Sequence, residues 1–389
     1  MVTLIRNGDV FAPEPLGRKD VLAAGGVVVA VADPGRIRVE GLEADVVDAA
    51  GKRVLPGLID PHVHILGGGG EGGPATRAPE IRVEDIVSSG VTTVIGCLGT
   101  DGVTRHMTSL LAKARALEIE GVSTFIFSGS YEIPVKTLTG SVRSDLILID
   151  KVVGAGEIAV SDHRSSQPTF DEIARLAAEC RVGGMLGGKA GVLHLHLGDG
   201  KRRLEFLFRL IRETEIPVTQ VIPTHINRNP QLFEHGLEWA AAGGSVDLTV
   251  GPDPEPPDPE VRPEDAIARF SGMGLPLTRM MASSDSNGSL PVFDANGRLV
   301  RLTIATERDF FRKFMEIIRK EILPIETAVR VFSTNAADFY KLGKKGHIEP
   351  GRDADLIVLD ADLGLSDVFA RGKRMIAGGR LLARGTFSA

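Results

Sequence analysis

The sequence of 389 residues predicts an α/β fold, with eight strand and helix units closed into a (β/α)8 barrel and a small β domain built from both chain ends. Three observations predict it. Eight short apolar stretches alternate with amphipathic ones through the middle of the chain. Both ends read instead as strands broken by Gly, Pro and Asp, and the rhythm changes near residues 55 and 346. Strands separated by helices imply parallel units, and eight of them in roughly 230 residues match the size of a closed barrel.

In chain order, residues 4–6, 20–23, 27–32 and 45–48 read as short strands with turn residues between them. These belong to residues 1–55, which join 346–389 in the small domain, where 346–359, 367–371 and 373–376 have the same character. The barrel covers 56–345, with strands expected at 57–64, 91–98, 123–129, 157–163, 191–197, 217–225, 245–250 and 278–285. Helices are expected at 83–89, 108–120, 170–181, 201–213 and 229–242, followed by two more at 305–322 and 325–342. Residues 252–263 read as a loop rich in Pro and acidic side chains.

Composition narrows the class. A hydrophobic content of 43% with 25% charged residues provides for a sizeable core, and a net charge of −6 gives no reason to expect nucleic acid or an anionic membrane as partner. There is no run of about 18 apolar residues, and the start, Met1-Val2-Thr3-Leu4-Ile5-Arg6-Asn7, lacks the basic and apolar regions of a signal peptide. The only cysteines, Cys97 and Cys180, sit in apolar or helical contexts and indicate neither a disulfide framework nor a thiolate metal site. A cytoplasmic location is the expectation.

The chemistry starts at Pro56-Gly57-Leu58-Ile59-Asp60-Pro61-His62-Val63-His64. Two histidines at i and i+2 in a strand present both imidazoles on one face, which supplies half of a tetrahedral metal site. Active sites of such barrels lie at the C-terminal strand ends. There the sequence places His194-Leu195-His196-Leu197-Gly198-Asp199, Pro223-Thr224-His225-Ile226-Asn227-Arg228 and Ala282-Ser283-Ser284-Asp285. His194 and His196 share a face, so strand geometry leaves both open as ligands.

A His-x-His on strand one, an acidic or lysine bridge on strand four, histidines ending strands five and six, and an aspartate ending strand eight resemble the pattern of the metal-dependent amidohydrolase superfamily. Within it the chain resembles, over essentially its whole length, the isoaspartyl (β-aspartyl) dipeptidase family. The likeness is carried by His62-Val63-His64 with Gly67-Gly68-Gly69-Gly70-Glu71, Leu98-Gly99-Thr100-Asp101, Ser161-Asp162-His163-Arg164, Val182-Gly183-Gly184-Met185-Leu186-Gly187-Gly188-Lys189, Pro223 to Asn229 and Ser283 to Ser289.

That resemblance implies a TIM barrel with a small β-sandwich domain, and two divalent ions per chain with Zn2+ expected. His62 and His64 would bind one ion, and His196 and His225 the other, His196 being preferred for its place before a Gly-Asp turn. Asp285 would be a ligand and the general base for a hydroxide held between the ions. The family commonly bridges its metals with a carboxylated lysine on strand four. Here Glu157 stands in that region, a permanent carboxylate that could bridge directly. The alternatives are a mononuclear site without Glu157, or the use of Lys151, expected to be a solvated surface lysine.

For the substrate, the resemblance implies that Glu71 receives an α-ammonium, with Thr100 and Ser289 assisting and Gly69 of the glycine run beside them. Arg164 and Arg228 would bind carboxylates, and Tyr131 would stabilise the oxyanion at the scissile carbonyl. Asp162 is expected to support a ligand by hydrogen bonding. Gly67 to Gly70 form either a mobile flap or a tight turn, and His106, His163, His235 and His347 are expected to be structural or exposed. The expected activity is hydrolysis of the isopeptide bond of β-aspartyl dipeptides by a homo-oligomer, an octamer being one form. The alternative is a cyclic amidohydrolase of the dihydroorotase or hydantoinase type.

Overall fold

The computed structural model describes residues 1–253, 259–293 and 298–388; residues 254–258 of the expected loop at 252–263 lie outside it, as does Ala389 at the end of the expected small domain. The chain opens with β1 (Val2–Phe11), β2 (Pro15–Ala24), β3 (Val27–Ala32), β4 (Asp45–Asp48) and β5 (Arg53–Pro56). Strands β1 and β2 are longer than expected, because turn residues such as Asn7 and Gly8 sit at irregularities in the β1–β2 register without ending either strand.

The middle of the chain holds eight strands: β6 (Leu58–Val63), β7 (Val91–Gly96), β8 (Ser123–Ser128), β9 (Val152–Val160), β10 (Val192–Leu197), β11 (Val221–Thr224), β12 (Val246–Thr249) and β13 (Met280–Ser283). Strands β6 to β11 form one parallel sheet in sequence order, and β12 pairs in parallel with β13. The two pieces meet where the backbone of Ile226 donates to Asp247 at 3.4 Å and that of His64 to Ser286 at 2.9 Å. The fold is of TIM-barrel type, and every residue of these eight strands but the half-buried Phe125 is buried, as expected for strands covered on both faces.

Helices α1 (Val83–Val87), α2 (Met107–Glu120), α3 (Val142–Leu148), α4 (Phe170–Gly187), α5 (Glu205–Glu213), α6 (Pro230–Ala241) and α7 (Pro263–Gly272) lie between the strands. Local chemistry starts several of them. Thr169 caps α4 by accepting from the Glu172 backbone, and Asn229 caps α6 by accepting from Leu232 at 2.8 Å, with Pro230 at the first helical position. After a hairpin, β14 (Ser289–Phe293) with β15 (Leu299–Ile304), come α8 (Glu307–Arg319), α9 (Ile325–Val329) and α10 (Asn335–Phe339). The single helix expected at 325–342 is therefore two, joined by a wide π-type turn, Arg330–Thr334.

The last strands, β16 (Leu356–Leu359), β17 (Leu365–Ala370), β18 (Lys373–Ala377) and β19 (Arg380–Leu381), complete a nine-stranded sheet with β1 to β5. Its seam is the antiparallel pair of β5 and β16, Pro56 facing Leu356, so the two chain ends are joined immediately before β6 begins. Its own core includes Ile5, Val10, Val21, Val54, Leu356 and Phe369. No helix among the described residues is long and apolar enough to cross a membrane.

Two expectations change. The fourth barrel strand starts at Val152, five residues early, which puts Glu157 inside the strand. Lys151, expected to be solvated, is only 4% exposed; it donates to the Thr124 carbonyl and hydroxyl, each at 3.0 Å, and pairs with Glu118. These contacts hold Lys151 before β9, at the opposite end of the strand from the site.

Candidate active site

The polar ends of the barrel strands converge on Glu157. Strand β6 is fixed by Asp60, which accepts from the backbone of His62 at 3.1 Å and from that of Ser284, at the end of the adjacent β13, at 3.1 Å. This linkage brings the histidines of β6 to the end of β13. Glu157 is fully buried. Its Oε2 lies 3.3 Å from His62 Nε2, 3.1 Å from His196 Nδ1 and 3.6 Å from His225 Nε2, while its Oε1 lies 3.3 Å from His64 Nε2. Asp285 Oδ1 stands 2.9 Å from His64 Nε2 and 3.6 Å from His62 Nε2.

Backbone geometry aims these groups. His225 and Asp285 hold left-handed conformations, with φ of 59° and 55°, a region that His and Asp enter more readily than most non-glycine residues. Gly99 leaves room for the ring of His64: a Cβ there would lie 2.8 Å from His64 Cε1.

The donors fit divalent metal. His62 Nε2, Glu157 Oε1 and Asp285 Oδ1 are buried without a hydrogen-bond partner, which is costly unless something else satisfies them. Donor atoms of His62, His64, Cys97 and Glu157 lie within 4.8 Å of one another, and those of Glu157, His196 and His225 form a second such set. Glu157 belongs to both. Burial pushes the Glu157 and Asp285 carboxyls up, but the neighbouring histidines outweigh it, holding Glu157 well below the usual range and Asp285 at about 2. Burial pushes His62 and His64 down, and Cys97 with the two carboxylates holds them well above the ordinary value. Burial, aided by the neighbouring His196 and Arg228, pushes His225 down to about 3. Anionic carboxylates packed among imidazoles form a pocket for a cation.

The adjoining cleft is lined by Gly69, Glu71, Thr100, Tyr131, Arg164, Arg228 and Ser289, among others. Glu71 accepts from the hydroxyls of Thr100 and Ser289, each at 2.8 Å, and lies 3.4 Å from Arg164 Nη1. Arg164 is also held by Asp162 at 2.7 Å, which lies 2.9 Å from His196 Nε2. Arg228 has a buried Nε with no hydrogen-bond partner. The Tyr131 hydroxyl lies 2.9 Å from His196 Nδ1, and burial raises it far above its usual pKa, so it remains an O–H donor. Gly67 to Gly69 are buried just after the turn at Ile65–Leu66, with Gly69 bridged to Arg77, and Arg105 clamps this segment by donating to the carbonyls of Leu66, Gly68 and Gly69 at 3.4, 2.8 and 3.3 Å. Arg105 is a structural contributor that the sequence did not single out.

His194 points into the barrel but below the metal donors, 3.0 Å from His62 Nδ1. Cys97, for which no thiolate site was expected, lies beside the donor cluster, its Sγ 3.8 Å from His64 Nδ1 and 3.6 Å from the Val63 carbonyl. Its apolar strand context carried no signal of that neighbourhood. His106 and His163 are exposed, His347 lies 3.2 Å from Asp338, and His235 packs edge-on to Phe208.

Models of the amidohydrolase family match residues 45–102 and 245–379. The chain belongs to that family, whose members use divalent metal ions. Within it, the chain is similar along its whole length to the β-aspartyl dipeptidase of the thermophilic keratin-degrading Fervidobacterium islandicum AW-1, solved with a β-Asp-Leu dipeptide. The two are 46% identical, with 99% of each chain covered and a TM-score of 0.93. The dihydropyrimidinase of Brevibacillus agri NCHU1002 is 16% identical over 99% of this chain and 97% of that one, with a TM-score of 0.68, a likeness of fold alone. An adenine deaminase of Halalkalibacterium halodurans is 27% identical over 97% of this chain, which spans 58% of that protein's length.

Proposed function

We propose that this protein is a metal-dependent hydrolase that cleaves the isopeptide bond of β-aspartyl dipeptides. The observation that carries this is the cleft itself. An acid cradled by two hydroxyls, Glu71 with Thr100 and Ser289, shares one cleft with two guanidinium groups, Arg164 and Arg228, next to the metal donors. A β-aspartyl dipeptide carries one ammonium and two carboxylates, and a cyclic amide such as dihydroorotate or hydantoin carries fewer charges for such a set to meet.

His62, His64, Asp285 and Glu157 would hold one ion, and Glu157, His196 and His225 a second, with Zn2+ as the expected metal. When bound, the ions supply Lewis-acid polarisation of the carbonyl and activation of water near neutral pH. The remaining steps belong to the chain. Glu71 receives the ammonium, with Gly69 beside it, and Arg164 and Arg228 hold the carboxylates, which orients the isopeptide carbonyl toward Tyr131. The Tyr131 O–H donates to that oxygen as charge builds on it. Asp285, ionised at neutral pH, takes a proton from the attacking water and returns it to the leaving nitrogen as the C–N bond breaks.

We read residues 56–345 as the (β/α)8 barrel and residues 1–55 with 346–389 as a small β-sandwich domain, a division supported by the shared nine-stranded sheet. A cytoplasmic homo-oligomer, an octamer among its forms, completes the proposal. The test is turnover of β-Asp-Leu against dihydroorotate and hydantoin, with metal content measured on the same preparation. Dipeptide cleavage is expected; turnover of the cyclic amides alone would overturn the assignment.

A further inference from the structure

We propose that His194 and Tyr340 are positioning residues that fix the imidazole of His62 for metal binding, an inference that rests on His62 being a ligand. His194 is fully buried inside the barrel. Its Nε2 lies 3.0 Å from His62 Nδ1, and its Nδ1 lies 3.0 Å from the hydroxyl of Tyr340. The ring is locked from the sides as well. It stacks on Phe127, with centroids 4.6 Å apart and planes inclined by 28°, and meets His62 edge-on at 4.9 Å. A Cβ at Gly156 would come within 2.8 Å of the His194 Cβ, so glycine at 156 is what admits His194 this close to the neighbouring strand.

The protons on this line follow from the ligand role. His62 Nε2 faces Glu157 and Asp285 at 3.3 and 3.6 Å, and a ligand nitrogen there must offer a lone pair. His62 therefore carries its proton on Nδ1 and donates it to His194 Nε2. A neutral His194 that accepts at Nε2 carries its own proton on Nδ1 and donates it to the Tyr340 oxygen. Ligand histidines usually give their second N–H to a carboxylate, a carbonyl or water. Here the acceptor is a second imidazole, anchored by a tyrosine packed with Ile59, Ile95 and Ile222 in the barrel interior.

The test uses the whole chain, stripped of metal and titrated with Co2+ against a competing chelator, with visible absorption recorded. His194→Phe keeps the stacking but cannot accept from His62. It is expected to weaken at least one bound equivalent by about tenfold to a hundredfold and to alter the Co2+ bands, as loss of such supporting partners does. His194→Gln, whose Oε1 can accept and whose amide can donate to Tyr340, is expected to restore both, and Tyr340→Phe to give a smaller loss. Wild-type affinity and bands in His194→Phe, or equal defects in folded His194→Gln and His194→Phe, would overturn the proposal. A measurement that needs no variant is the 15N-histidine spectrum of the Zn2+-loaded protein: His62 and His194 should both carry the proton on Nδ1, and the other tautomer at either ring refutes the line. Failure of the wild-type chain to bind Co2+ would instead refute the metal reading on which the inference rests.

Discussion

Replacing Glu157 by Gln tests the core of the site with little change in volume. In the structure this one carboxylate lies within 3.6 Å of four imidazole nitrogens, and it is the only carboxylate in the donor set that contains His196 and His225. Glutamine removes the charge and turns an amide N–H toward nitrogens that must act as lone-pair donors. The first set keeps Asp285 at 2.9 Å from His64, whereas the second is left with two neutral rings. Removing one partner from a buried charged contact costs about 3–5 kcal/mol. That corresponds to roughly a hundredfold to several thousandfold in Kd for the second ion. Metal content after dialysis against a weak chelator should fall from two ions per chain to one, and wild-type activity should not respond to bicarbonate, since Glu157 needs no carbon dioxide to become a carboxylate. Two tightly held ions in Glu157→Gln would refute the bridging argument.

Asp285→Asn is expected to lower turnover of β-Asp-Leu by roughly 10²- to 10⁴-fold while metal is retained, because the amide cannot accept the proton of water; near-normal kcat would remove Asp285 as the base. Arg228→Met should lower kcat/KM for the dipeptide by about tenfold to a hundredfold and much less for an uncharged amide, and equal losses on both would sink its role in recognition. Asp247 supplies a pH prediction. Burial raises its carboxyl to about 7, even though it accepts from Thr224 and Ser283 at 2.6 and 2.7 Å. With the folded pKa above the unfolded value, its contribution is complete below pH 4 or so and is lost as pH rises toward and through about 7. Asp247→Asn should therefore flatten the fall in thermal stability between pH 5 and 8, and an unchanged slope in melting experiments would contradict the assignment.

Local patterns made much of this protein legible. Alternation along residues 58–64 placed His62 and His64 on one face, the count of apolar stretches located all eight barrel strands, and the Gly, Pro and Asp punctuation marked strands at both ends. The elements that were not anticipated had weaker local signals. Helix α3 follows a sequence rich in Ser, Thr and Gly, α7 follows one rich in Pro and acidic residues, and the β14–β15 hairpin follows the Ser-rich turn after Asp285.

What the sequence by itself determined was the set of groups able to do chemistry and the strands that carry them, because side-chain alternation depends only on neighbours along the chain. What the tertiary structure decided was which of those groups meet. His194 and His196 share a face but differ by two residues of strand rise, about 6.6 Å. That difference in depth places His196 beside Glu157 and His194 beneath His62, against Tyr340. Cys97 reaches the metal donors, and Lys151 is buried away from them, through contacts with other strands and helices. The meeting of β6 with the end of β13 sets such distances, as when Asp60 binds the backbone of Ser284 more than two hundred residues away, and no local period encodes them.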